Sequence, residues 1–135
     1  MAIKVKAPVI YPVVEKTDLS NLRSFNFYIV KNNDALFLVD AGYENEVCWN
    51  GLHHQLQKNG FQLSDLDAIL VTHHHYDHLG LVNRILDEHP IPLYLHKDAI
   101  VRIRRDRDYL SERIRFFNKL YLQSGCEDEI ISKEI

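Results

Sequence analysis

Six consecutive residues, His73-His74-His75-Tyr76-Asp77-His78, concentrate side chains that bind cations. They follow Ala68-Ile69-Leu70-Val71-Thr72, a short apolar run with β-branched residues that reads as a buried strand. Residues two apart at a strand end point to the same side, so His73 and His75 can converge on one cation while His74 points away. Asp77 and His78 fall where the chain turns into a helix, with Asp77 suited to the N-cap. A turn there can swing both side chains back toward the strand end. Three imidazoles and one carboxylate form a donor set that suits zinc, and also iron or manganese. Two ligand pairs side by side suit two metal ions roughly 3.5–4 Å apart. An expression tag would be terminal and unbroken, and an apolar core could not satisfy several adjacent imidazoles. Metal binding is the expected role of this run.

The elements that must position it can be read on either side. Val9–Val14, interrupted by Pro12, suits an edge strand. Residues 25–30 and 35–40 are apolar runs around Asn32-Asn33-Asp34 and read as a hairpin. The second run is almost wholly apolar, as in a strand covered on both faces. After Asp40-Ala41-Gly42, Cys48, Leu52 and Leu56 keep a helical spacing that Gly60 stops. His53 and His54 lie on that helix, where surface or half-buried positions are expected rather than ligation. A second helix carries Leu79, Val82, Ile85 and Leu86 on one face and ends at His89-Pro90. Residues 91–95 form a further short strand. This alternation of strands and helices predicts an α/β fold, a mixed sheet with flanking helices. From residue 97 the character changes to helical, with Leu110, Ile114, Phe117 and Tyr121 in register and Gly125 as the stop.

Composition sets the class. With 46% hydrophobic and 26% charged residues, the chain can bury a core without disulfides. Cys48 and Cys126 lie far apart, outside any Cys-x-x-Cys pattern, and read as free thiols in a reducing compartment. No apolar stretch approaches the ~18 residues of a membrane span, and nothing resembles a signal peptide, so a cytoplasmic protein is expected. A net charge of −3 gives no general pull toward nucleic acid. The arginines from Arg102 to Arg115 alternate with acids, which favours a solvated helix face over an anion site.

The spacing His-x-His-x-Asp-His after an apolar strand ending in Thr72 resembles the metal motif of the metallo-β-lactamase superfamily. Phe37-Leu38-Val39-Asp40-Ala41-Gly42 resembles that family's first motif, and the two stand in the family's order. The resemblance covers roughly residues 10–96. It implies one half of an αββα sandwich, with metals held at one edge between two sheets. It also implies His73 and His75 as ligands of a first metal, Asp77 and His78 as ligands of a second, and Asp40 as the residue that holds the ligand loop. Read from its position alone, Asp40 can equally be a strand-end turn residue. The family often carries two glycines after the last His; here only Gly80 is present.

The family's complete site needs further ligands, from its later half. His89 and His96 lie in no Gly-His-Thr-type turn and are expected to pack or cap. The expectation is an N-terminal half-domain: residues 1–96 bear the sheet and metal motif, and residues 97–135 begin a helical insertion. Such a half leaves an apolar sheet face open, so a homodimer is expected. The implied chemistry is a water activated by two metals, with Asp77 orienting it and passing protons, cleaving an ester-like bond in a small molecule. Two alternatives stand beside it: a non-catalytic metal-binding or self-associating module, and a nuclease of the same superfamily.

Overall fold

A computed structural model describes residues 6–19 and 21–125. These fall into two compact units, one ending at His96 and the other beginning at Lys97. Cys126 and the acidic final residues lie outside the described residues, as does the start of the N-terminal segment.

The first unit is built on one mixed sheet whose five strands lie side by side in sequence order. They are β1 (Val9–Lys16), β2 (Ser24–Asn32), β3 (Ala35–Val39), β4 (Ala68–Leu70) and β5 (Leu93–Tyr94). β1, β2 and β3 pair antiparallel, with Val13 opposite Phe27 and Val30 opposite Phe37. The hairpin reverses at Asn33, whose φ of 51° is a left-handed conformation that Asn tolerates. β3, β4 and β5 pair parallel, with Leu38 beside Ile69 and Ile69 beside Leu93. Parallel neighbours need crossovers, and helices supply them. α1 (Glu46–Lys58) and a 3-10 turn at Leu63–Asp65 lead from β3 to β4, and α2 (Tyr76–Leu79) with α3 (Val82–Glu88) lead on to β5.

α1 starts where the Asn45 side chain accepts the Cys48 N–H at 2.8 Å. It stops before Gly60, which takes a φ of 81°. Its Cys48, Leu52 and Leu56 join Phe27, Ile29, Leu38 and Ile69 from the sheet and Val82 and Ile85 from α3 in one core. The other face of the sheet is apolar too, yet more open. β3 therefore departs from a strand covered on both sides: Leu36 and Leu38 are buried while Phe37 and Val39 are half-buried. On that open face Ile10 is 56% exposed, and Tyr28, Leu70 and Tyr94 are exposed with it.

The single helix expected after the histidine run is instead two. α2 begins after His75, so Asp77 sits inside the first turn and not at the N-cap. Gly80 and Leu81 separate it from α3. The break has a non-local cause: Gly80 and Leu81 donate their N–H groups to the carbonyls of Gly42 and Ala41, at 2.8 and 3.0 Å. A Cβ on Gly80 would collide with the backbone of Tyr43 and Glu44, so only glycine allows this approach.

The second unit comprises α4 (Lys97–Ile103) and α5 (Arg107–Gln123). Asp106 caps α5, accepting N–H groups of Asp108 and Tyr109 at 3.0 and 3.3 Å. No α5 residue is buried. Its Arg113 lies 4.9 Å above the ring of Phe117, one turn further along the same helix. No helix among the described residues is long and apolar enough to cross a membrane.

Candidate metal centre

β3 and β4 run parallel, so their C-terminal ends lie side by side, and the residues of the site follow just beyond each. Beyond β3, Asp40 takes a φ of 59°, a left-handed turn that short polar residues adopt more readily than most. Its N–H donates to the carbonyl of Leu70 at 2.8 Å, which pins the turn to β4. Ala41 donates to the His78 carbonyl at 2.9 Å. Together with the contacts of Gly80 and Leu81, this ties the loop after β3 to the helix bearing the second half of the histidine run.

The result is a buried carboxylate beneath a group of imidazoles. Asp40 is 4% exposed, the one buried charged residue among those described. Its Oδ1 accepts the Thr72 N–H at 2.8 Å, and the Thr72 hydroxyl lies 3.0 and 2.8 Å from its two oxygens. Its Oδ2 lies 2.8 Å from Nδ1 of His78. The other side of the Thr72 hydroxyl faces Nδ1 of His73 at 3.0 Å. Burying such a group is tolerable only with its partners in place, and here they are.

Above this base the imidazoles crowd together. The ring of His73 lies 4.0 Å from that of His78 and 4.7 Å from that of His75, centroid to centroid. The Nε2 of His78 stands 3.4 Å from Oδ2 of Asp77. Two ligands about 2.0–2.1 Å from a tetrahedral zinc ion would themselves stand about 3.3 Å apart, so this pair has the spacing of two ligands on one ion. Among the described residues, no three His, Cys, Asp or Glu side chains converge on one point. The arrangement offers neighbouring pairs of donors rather than a closed cage. The donor chemistry and the Asp77–His78 spacing nonetheless fit a divalent metal.

Of the other histidines, His74 flanks the group and the rest lie elsewhere. His74 is half-buried, its ring 5.0 Å from that of His75. His53 packs edge-on against Trp49 at 4.6 Å, and His89 closes α3 with Nε2 2.8 Å from the Leu66 carbonyl. His96 is exposed at the end of the first unit. Cys48 sits beneath the site loop in the dry core, and burial pushes its thiol up from the ordinary value of 9.0. Two contributors escape a reading of spacing alone: the Thr72 hydroxyl and the close approach of Gly80. A hydroxyl-bearing residue directly before the first ligand, and a glycine just beyond the last, are the signals that could have found them.

The chain matches the family described as the metallo-beta-lactamase superfamily over residues 22–122. It belongs to that superfamily, whose members bind divalent metals, usually zinc. It is similar to a probable metallo-hydrolase, YqjP, of Bacillus subtilis, with 36% identity over 73% of this chain and 30% of that protein. A hydroxyacylglutathione hydrolase of Alkalilimnicola ehrlichii shares 51% identity over 34% of this chain and 17% of that protein. Among solved structures, a metallo-beta-lactamase family protein from Thermus thermophilus superposes with a TM-score of 0.69. That match has 24% identity and covers 92% of this chain and 40% of the other, and it shows the shared fold. The chain therefore spans less than half the length of these relatives.

Proposed function

We propose that the chain contributes the first ligands of a two-metal hydrolase that cleaves an ester-like bond, a thioester or lactone, in a small molecule. The observation that carries this reading is the crowding of the His73 ring against those of His75 and His78 above one buried carboxylate, with Asp77 at ligand spacing from His78. His73 and His75 would hold one ion and Asp77 and His78 the other, zinc being best suited and iron or manganese compatible. Ions bound there supply Lewis acidity, which makes a water acidic and polarises a carbonyl oxygen. Asp77 then has the catalytic role: with Oδ2 at ligand spacing from His78, its Oδ1 would accept a hydrogen bond from the attacking water and take up its proton. Asp40 holds the imidazole of His78 in place from below.

The substrate class draws on the similarity to hydroxyacylglutathione hydrolases and metallo-hydrolases, and on a net charge that does not favour polyanions. A reducing, cytoplasmic setting belongs to the same reading, supported by the free thiol of Cys48. Pairing of two chains through the open sheet face is part of it as well, supported by exposed Ile10 and Tyr28. Light scattering should show a dimer, and a monomer at all concentrations removes that part.

The test is elemental analysis of the purified chain together with assays on a hydroxyacylglutathione, a lactone and a simple ester. The expected result is bound divalent metal and metal-dependent turnover, lowered about 100-fold or more in Asp77→Asn. Metal without turnover selects a non-catalytic metal-binding module. Steeply salt-dependent binding of RNA or DNA selects a nuclease. A chain that takes up no metal overturns the reading.

A further inference from the structure

The hydrogen bonds beneath the imidazoles can be satisfied in only one way. A carboxylate accepts and never donates, so the proton between Asp40 and His78 belongs to Nδ1 of His78. Thr72 has one hydroxyl proton, and its oxygen lies within 2.8–3.0 Å of both carboxylate oxygens and within 3.0 Å of Nδ1 of His73. If that proton went to His73, the hydroxyl oxygen would face a buried carboxylate with no proton between them, a repulsive contact. If it goes to Asp40, the hydroxyl oxygen is free to accept a proton from Nδ1 of His73. The second arrangement satisfies every group.

We infer that Thr72 is a positioning residue that relays the hold of Asp40 to His73. One buried carboxylate thereby fixes two imidazoles in the same tautomer, His78 directly and His73 through the hydroxyl. As neutral imidazoles both rings then present an unprotonated Nε2, that of His78 beside the Asp77 carboxylate 3.4 Å away, which is the form in which imidazole binds a metal. Metal-bound imidazoles commonly need such a partner on the other nitrogen, and here a single group serves two rings. The purpose of the relay rests on the metal-site reading above, whereas the tautomers can be measured without any metal.

The test uses long-range nitrogen–proton correlation spectra of the labelled, metal-free chain under mildly alkaline conditions. His73 and His78 should both show a protonated Nδ1 and a bare Nε2. Thr72→Val keeps the shape and the backbone N–H to Asp40, but it removes the relay. In that variant the His73 signals should move toward the Nε2–H form, which free histidine prefers, while those of His78 stay. Zinc affinity should fall about 10–100-fold. Thr72→Ser should restore both properties. A His73 that carries its proton on Nε2 in the unaltered chain overturns the inference, whether or not the valine variant folds. So does a folded Thr72→Val chain with unchanged His73 signals and zinc affinity. If the tautomers and their response are as described and yet no zinc binds, the relay stands and the hydrolase reading falls.

Discussion

Two amphipathic regions of this chain meet different fates. In the first unit, Cys48, Leu52 and Leu56 of α1 are fully buried in the core they share with the sheet. In the second, α5 carries as clear an apolar stripe, yet Ile114 and Tyr121 on it are exposed and no residue of the helix is buried. Periodicity tells which face of an element is apolar; only long-range contacts tell what that face does. The site lies in the region where those contacts are dense. Asp40, Thr72 and His78 are brought together by strand pairing and by the loop after β3, not by neighbourhood in sequence.

Substitutions can sharpen or break this contrast. The largest effect is expected for Leu52→Ala, which opens a cavity in the first unit's core and should cost about 2–5 kcal/mol of unfolding free energy. Chemical denaturation followed by circular dichroism measures it, and a cost below about 1 kcal/mol would mean the core is looser than described. Gly80→Ala comes next. The added methyl drives Tyr43 and Glu44 away, for about 1–3 kcal/mol. Because the same loop seats Asp40, this variant should also bind zinc more weakly; full retention of affinity would uncouple Gly80 from the site.

A smaller effect concerns Cys48. Its folded thiol is shifted up, mainly by burial. The thiol is neutral in both states below the unfolded value near 9, so it costs nothing there. As pH rises past that value only the unfolded chain ionises, and stability falls. Cys48→Ala should flatten this alkaline slope relative to the unaltered chain, and equal slopes would place the thiol in contact with water. The smallest change is expected for Phe116→Ser on α5, within about 0.5 kcal/mol. A loss as large as that of Leu52→Ala would show that α5 is covered after all.

Much of the first unit was legible from residues alone. The hairpin around Asn33 and the helix from Glu46 follow from alternation, turn chemistry and apolar spacing, all local signals. The histidine run points to metal binding because four imidazoles and a carboxylate have few other uses. What stayed hidden was non-local. The helix after the run reads as continuous, and it breaks because the loop carrying Ala41 and Gly42 takes the hydrogen bonds of Gly80 and Leu81. Asp77 fits an N-cap by type, yet it lies two positions past the N-cap residue His75, where it faces Nε2 of His78. Thr72 reads by type as the last residue of a strand, and only its contacts with Asp40, 32 residues away, give its hydroxyl a role.

The central claim is that His73, His75, Asp77 and His78 hold divalent metal together. Calorimetric titration of the metal-free chain with zinc tests it most directly, run beside four single alanine variants at these positions. The unaltered chain should bind zinc, and every variant should lose at least about tenfold in affinity. A chain that binds zinc no better than one lacking all four side chains would contradict it.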